Sequence, residues 1–139
     1  VTLVESNGKK VQFLNEVKEE LRLLLCVMNG RAEELGRKAM RESFHIATAR
    51  AVASLPQLCE YCLPLVELGG WFIAMKADAF EELESAAGAI AKLGGRFKEV
   101  RAYILPDGSR RELIFVRKQA ATPKQYPRNA NKILKQPLT

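Results

Sequence analysis

The sequence has no glycine-rich turn of the G-x-G-x-x-G type, and its 139 residues include one histidine and only 7% aromatic residues. The absence of that turn argues against a complete dinucleotide-binding unit, which normally begins with it. No apolar run reaches the ~20 residues of a membrane-spanning helix. The start of the sequence also lacks a basic region followed by an apolar run and a cleavage site, so we expect a cytoplasmic protein.

Cysteine is scarce as well, with three residues, Cys26, Cys59 and Cys62, in or beside apolar runs. An odd number of cysteines in such positions indicates reduced core thiols and not a disulfide framework. Cys59 and Cys62 form a C-x-x-C motif, but no second cysteine pair or nearby histidine completes a metal site. We therefore predict buried thiols and no metal.

The composition is that of one globular domain, with 47% hydrophobic and 27% charged residues. The net charge is +6 and the calculated isoelectric point about 9.4. Such a basic balance favours an anionic partner, nucleic acid first and a membrane surface second. Basicity that serves solubility alone is the alternative.

Apolar runs and helical periodicity alternate along the chain, which predicts an α/β fold. Predicted helices cover 10–24, 54 to about 67, and 80–93. Predicted strands cover 1–5, 23–28, 44–49, 71–76, 97–105 and 112–118. A turn at 106–109 should join the last two strands into an antiparallel hairpin.

The end of the sequence differs from the rest. Residues 120–139 are rich in proline and positive charge, which predicts an extended, partly mobile tail. We therefore divide the chain into a domain at 1–119 and a basic, proline-containing C-terminal tail at 120–139.

Polar residues follow several of the predicted strands. Glu33 and Arg50 each come shortly after a strand and should face one pocket, because parallel strands direct their C-terminal ends to one crevice. Glu5 ends the first strand and Lys76 a later one. Each of these residues could instead have a purely structural role. Glu33 could favour the start of a helix, and Arg50 could form a salt bridge. Glu5 and Lys76 could be solvated charges at strand ends.

Several motifs are spread along the chain: VTLVES at 1–6, GRAEEL at 30–35, RESF at 41–44, TARAVA at 48–53, GWFIAMK at 70–76 and TPKQYPR at 122–128. Together, and over essentially the whole chain, they resemble the glucose-inhibited division protein B family, whose members methylate guanine N7 in bacterial small-subunit ribosomal RNA. The resemblance departs at His45, where the family usually has aspartate. We assign His45 no catalytic role.

The resemblance implies a Rossmann-like S-adenosylmethionine-dependent methyltransferase sheet, mostly parallel, with an antiparallel C-terminal hairpin. The family's first strand and glycine-rich loop are missing, so the sequence resembles the C-terminal portion of such an enzyme. In the family's strand order, the missing strand lies between 1–5 and 44–49. We expect an N-terminal part outside these 139 residues, or a strand-exchanged partner chain, to fill that gap.

The resemblance implies that Ala32, Glu33 and Arg50 bind S-adenosylmethionine, and the place of Glu5 at the end of its strand suits the ribose hydroxyls of that cofactor. For ribosomal RNA, the strand-end position of Lys76 and the positive charges of Lys124 and Arg128 suit contacts with phosphates. Tyr126 is predicted either to stack on an RNA base or to pack against the sheet. No residue is assigned as catalytic, because guanine N7 carries a lone pair and no proton, so methyl transfer needs positioning and no general base.

Two other functions stay open from the sequence. One is a non-catalytic RNA-binding fragment, which titration with the cofactor would distinguish. The other is a small-molecule methyltransferase of the same fold, against which the basic tail argues.

Overall fold

The computed structural model describes residues 1–50, 53–77 and 80–139, which form two separate sheets with helices around them. Within these residues the strands are β1 (Thr2–Glu5), β2 (Cys26–Asn29), β3 (Phe44–Ala49), β4 (Val66–Lys76), β5 (Gly95–Ile104) and β6 (Arg110–Lys118). The helices are α1 (Gly8–Glu20), α2 (Ala32–Leu35), α3 (Leu55–Cys62), α4 (Phe80–Lys92) and α5 (Ala130–Lys135).

The first sheet contains only β1 and β2, which run parallel and are connected by α1. Asn7 begins α1 by accepting hydrogen bonds from the backbone amides of Lys9 and Lys10. The helix ends at Glu20, and Arg22 has a φ of 50°. It is therefore shorter than the predicted 10–24, since a positive φ at a non-glycine residue breaks helical geometry.

The second sheet has four strands in the order β3-β4-β6-β5. β3 and β4 are parallel, whereas β6 pairs antiparallel with both β4 and β5. The predicted antiparallel C-terminal hairpin is thereby confirmed, as is the mixed α/β class.

The two sheets are not hydrogen-bonded to each other among the described residues, and the sequence predicts a missing strand between β1 and β3. Among the described residues, β1 pairs only with β2, and β3 pairs only with β4. Both strands therefore keep an open edge. Apolar side chains are exposed on them, with relative accessibilities of 37% for Val4 and 55% for Ile46.

The hydrophobic core lies between the four-stranded sheet and helices α3 and α4. Phe72 and Ile114 of the sheet are fully buried, and Leu55 and Ala86 cover them from the helices. Cys59 and Cys62 are buried in this core as predicted, but Cys26 is exposed. The expectation of a buried thiol at Cys26 is wrong, because β2 belongs to the small sheet and faces solvent there.

Strand β4 begins earlier than predicted and runs through a glycine pair. Helix α3 ends at Cys62, a short 3₁₀ turn follows at Leu63–Leu65, and β4 starts at Val66. Gly69 has a φ of 79°, and a Cβ on Gly70 would lie 2.6 Å from the His45 carbonyl oxygen of β3. The glycines therefore permit close strand approach where the sequence suggested a break.

The C-terminal residues fold back on the domain. They form α5, and they bury Ile133 and Leu138. The prediction of an extended tail is wrong for these residues, because their apolar side chains are buried against the domain, which proline content and charge do not indicate. The division of the chain at residue 120 stays a prediction.

Candidate functional site

The C-terminal ends of β1 and β2 lie side by side. Glu5 aligns with Asn29, and the Gly30 amide donates a hydrogen bond to the Glu5 carbonyl oxygen at 3.0 Å. The Glu5 carboxylate accepts from the Asn7 amide at 2.8 Å through Oε1. Its Oε2 keeps capacity to accept from a ligand hydroxyl.

Glu33 is the first residue along the chain to be buried. It lies in the first turn of α2, directly after Ala32, and only 5% of its surface is exposed. The nearest cation is Arg31, whose Nη1 lies 3.8 Å from Glu33 Oε1. No hydrogen bond links this carboxylate to another described residue, and its oxygens remain accessible to solvent.

A cleft of about 670 Å³ opens beside Glu33. Helices α2, α3 and α5 contribute to its walls, so sequence-distant elements meet here. The lining residues are Arg31, Glu33, Glu34, Arg37, Tyr61, Asn129, Ala130, Asn131 and Leu134. The volume is within the range of small-molecule sites.

Tyr61 of α3 is half-buried in this cleft. Burial raises the pKa of its hydroxyl, and the negative charges of Glu33 and Glu60 raise it further. The phenol is therefore neutral near pH 7 and can donate a hydrogen bond. Sequence reasoning missed Tyr61, which lies outside the motifs that carry the family resemblance.

Arg50 directly follows β3 and is exposed. It does not line the cleft beside Glu33. The next two residues of its motif, Ala51 and Val52, lie outside the described residues. The prediction that Glu33 and Arg50 share a pocket, and that Arg50 binds the cofactor, therefore stays a prediction.

Lys76 ends β4 with its ammonium group already engaged. Its Nζ donates to the Ala53 carbonyl oxygen at 2.7 Å and lies 2.9 Å from Glu82 Oε2. Only 10% of its side chain is exposed. The structure gives Lys76 a role in holding the segment before α3, and RNA contact stays a prediction.

Arg128 is held within the protein by a buried carboxylate. Glu60 of α3 is fully buried, and its Oε2 lies 2.7 Å from Arg128 Nη2. Arg128 also donates to the Gln136 carbonyl oxygen at 2.9 Å. These partners fix the tail against α3, and they occupy the guanidinium that the sequence assigned to RNA.

Tyr126 and Lys124 differ in burial. Tyr126 packs against the core, and its carbonyl oxygen accepts from Arg41 Nη1 at 2.7 Å. Lys124 is exposed. Of the tail residues predicted to bind RNA, Lys124 is thus the one whose charge faces solvent, and all of these RNA contacts stay predictions.

Sequence reasoning also missed a polar cluster that joins the tail to the segment before β3. Lys118 is fully buried, and its Nζ donates to the Leu63 carbonyl oxygen at 2.6 Å and lies 3.1 Å from Glu42 Oε1. The Thr122 amide donates to Glu42 at 2.7 Å. Charged residues inside otherwise apolar segments, as at Glu60 and Lys118, were the available signal.

The described residues contain no group of three or more histidine, cysteine, aspartate or glutamate side chains that could hold a metal ion. Nor does any helix in residues 1–50, 53–77 and 80–139 have the length and apolar character to cross a membrane.

Solved structures with a similar arrangement of strands and helices include methyltransferases. A methyltransferase from Pyrococcus furiosus matches with a TM-score of 0.67 at 14% identity, over 86% of this chain and 63% of that one. A SAM-dependent methyltransferase from Methanosarcina mazei matches with a TM-score of 0.62 at 11% identity, over 86% and 82%. The fold is thus the Rossmann-like fold of S-adenosylmethionine-dependent methyltransferases.

The chain belongs to the GidB family, rRNA small subunit methyltransferase G, whose profile matches residues 1–114. The ribosomal RNA small subunit methyltransferase G of Symbiobacterium thermophilum is 48% identical over 147 residues, and that of Geobacillus kaustophilus is 46% identical over 142. Each alignment covers 99% of this chain and 60% of the relative. The chain thus spans about three fifths of these relatives' length, and the family resemblance is confirmed.

Proposed function

We propose that this chain is part of an enzyme that transfers the methyl group of S-adenosylmethionine to guanine N7 in small-subunit ribosomal RNA. The observation that carries the proposal is the buried Glu33 carboxylate at the C-terminal end of a parallel strand pair in a chain of this family. Ligands of open α/β sheets bind at that end.

The residues at this end fit the cofactor chemically. Glu5 has a carboxylate oxygen for ribose hydroxyls, and Glu33 lacks the hydrogen bond that an exocyclic amine would supply. The backbone amides of Ala32 and Glu33, the first two of α2, offer further donors. The bound cofactor supplies an electrophilic sulfonium methyl group, while the protein's task is to orient it towards the base.

The ribosomal RNA substrate agrees with the charge of the chain. A net charge of +6 favours a polyanion. The target guanine has to be unstacked to reach a pocket, which favours folded or single-stranded RNA over duplex. A cytoplasmic location follows from that substrate as part of the same proposal.

We further propose that one additional strand fills the gap between β1 and β3, contributed by the same polypeptide or by a strand-exchanged partner chain. The open edges belong to β1 and β3, which each pair in parallel with one neighbour and have exposed apolar side chains. Parallel strands are normally buried on both sides. A monomeric, cooperative unfolding transition above about 60 °C for the 139 residues alone would contradict this.

The 139 residues contain no glycine-rich loop of the kind that the family resemblance places around the methionine end of the cofactor. The 139-residue chain should therefore bind S-adenosylmethionine weakly or not at all. Micromolar affinity in calorimetry would contradict that expectation.

Substitution of Arg50 tests the proposed function. In a protein of the relatives' length that carries this sequence, Arg50→Ala should reduce methyl transfer to ribosomal RNA far more than it reduces thermal stability. Arg50 is exposed at the end of β3, so little packing is lost. Lys98→Ala, an exposed substitution on β5, is the control. A large loss of melting temperature with unchanged activity per folded molecule would support a structural salt bridge instead.

A further inference from the structure

A segment of the tail, 122–127, lies along the segment 36–41 that connects α2 to β3. Arg41 donates through Nη1 and Nη2 to three carbonyl oxygens of the tail segment. Arg37 Nε donates to a fourth, that of Pro127, at 2.7 Å. We call these two segments together the clasp.

The clasp has positive charge and nothing in its own sequence to neutralise it. It contains Arg37, Lys38, Arg41 and Lys124, and no aspartate or glutamate. The acceptors that the two arginines bind are carbonyl oxygens, which have no net charge. Because the contacts that hold the clasp together are not ion pairs, they leave its positive charge in place.

Acidic residues outside the clasp do not cancel this charge either. Glu42 follows Arg41 directly, but its carboxylate also pairs with the buried Lys118, at 3.1 Å, so one positive charge remains among the three groups. Arg37 and Lys38 form no ion pair with a carboxylate of the described residues. Arg128 differs from them, because its guanidinium is paired with a buried glutamate.

Three of the four cations are exposed to solvent, namely those of Arg37, Lys38 and Lys124. The Nη atoms of Arg37 have no hydrogen bond within the described residues, and a guanidinium edge suits phosphate oxygens. Lys124 lies in a turn that the Tyr126 amide closes by donating to the Pro123 carbonyl oxygen at 2.9 Å. Arg41 binds both ends of that turn, so the position of Lys124 is fixed.

The surroundings of these cations narrow the kind of anionic partner. None of the large apolar side chains that are exposed among the described residues belongs to 36–41 or 122–127. Binding to a membrane surface usually combines basic residues with apolar side chains that enter the lipid. Cations without exposed apolar neighbours fit the hydrated phosphate backbone of a nucleic acid better.

We propose that the clasp is an RNA-binding surface, in which Arg37, Lys38 and Lys124 contact backbone phosphates while Arg41 holds the turn that carries Lys124. The inference rests on the proposed function for the choice of RNA as the nucleic acid. Arg37 also lines the cleft beside Glu33. An RNA strand on the clasp therefore continues towards the end of the parallel strands where the cofactor is proposed to bind.

The test is the affinity for a short single-stranded RNA of mixed sequence at a series of salt concentrations, in a protein of the relatives' length that carries this sequence. Arg37→Gln combined with Lys38→Gln removes two phosphate contacts from exposed positions, so the fold should be retained. At about 0.7 per contact, the slope of log affinity against log salt should fall by about 1.4. The affinity at about 0.1 M salt should fall by at least about tenfold.

Lys9→Gln combined with Lys10→Gln is the matched control. Both lysines are exposed in the first turn of α1, and the change in net charge is the same. This variant should keep the slope of the unchanged protein. An equal fall in both double variants would mean that RNA responds to net charge alone, and an unchanged slope after substitution of Arg37 and Lys38 would mean that they do not contact RNA. Either result would overturn the inference.

Vesicles of phosphatidylserine and phosphatidylcholine provide the comparison with a membrane. Tighter binding to these vesicles than to RNA, lost on substitution of Arg37 and Lys38, would also overturn the inference. Methyl transfer to ribosomal RNA in any of these cases would leave the proposed function standing. Conversely, RNA binding that depends on Arg37 and Lys38, without any methyl transfer, would support the clasp and remove the proposed function.

Discussion

The small sheet of β1 and β2 and the four-stranded sheet differ sharply in burial. No residue before Glu33 is buried, and helix α1 contains none. By contrast, the four-stranded sheet, its helices and the tail share a continuous core. We therefore expect the small sheet to be the less stable of the two, because a two-stranded parallel pair lacks the layers that bury such sheets.

Removal of the tail after Ala121 should have the largest effect on this comparison. The truncation exposes the surface under Ile133 and Leu138 and leaves Glu60 buried without Arg128. Loss of one partner of a buried ion pair alone costs about 3–5 kcal/mol. We expect the cooperative urea transition to disappear. A truncated chain with an unchanged transition would show that the tail is dispensable for the core.

Matched phenylalanine substitutions compare the two halves directly. Phe72→Ala removes a fully buried ring from β4 and should lower the free energy of unfolding by about 3–5 kcal/mol. Phe13→Ala changes a side chain on α1 that is 62% exposed, and it should change that free energy by less than about 0.5 kcal/mol. Urea denaturation measures both. Equal losses would mean that α1 is covered in solution.

The polar cluster at the start of the tail makes the larger half sensitive to acid. Partial burial acts to raise the pKa of Glu42, but hydrogen bonds from the Thr122 amide and from Lys118 hold it below the ordinary value of 4.5. This carboxylate therefore stabilises the folded state above about pH 4.5 and loses its contribution as the pH falls through the lowered pKa.

Glu42→Gln should accordingly reduce stability at neutral pH and flatten the decline in stability in acid. Chemical denaturation at a series of pH values measures the difference. Glu84→Gln on the exposed face of α4 should retain the decline of the unchanged chain. If the Glu42→Gln variant lost stability in acid as steeply as the unchanged chain, the cluster around Glu42 would not cause the acid sensitivity.

The smallest effect on stability is expected from the exposed lysines of the tail. Replacement of Lys124, Lys132 and Lys135 by glutamine should leave the urea midpoint unchanged, because all three are exposed. If each contacts a phosphate of single-stranded RNA, the slope of log affinity against log salt should fall by about 2. An unchanged slope would place the RNA contacts elsewhere on the chain.

Local sequence signals predicted most of the elements. β3 coincides with the predicted 44–49, and the C-terminal hairpin has its predicted antiparallel pairing. Periodicity and turn residues encode these features within short windows. The predicted end of α1 was wrong because Arg22 has a positive φ, and the predicted start of β4 was wrong because Gly70 packs closely against β3. Both features depend on tertiary geometry, which short sequence windows do not contain.

The candidate site was predictable in part. The positions of Glu5, Ala32 and Glu33 after parallel strands follow from the strand pattern. Tyr61, Asn131 and the other walls of the cleft do not, because they come from segments distant in sequence. Positive charge was the least reliable indicator of residues that are free to bind RNA. Lys118 is fully buried, and the Arg128 guanidinium is paired with Glu60.

Apolar spacing and motifs are local properties of the chain, and they were enough to predict the α/β class, the order of the main elements and the family. The open edges of β1 and β3 and the ion pair of Glu60 with the basic tail are visible only in the folded structure. Burial could not be predicted in the same way, because buried surfaces are built from segments that are distant in sequence. A buried carboxylate requires a partner, and the fold determines which of the many arginines and lysines provides it.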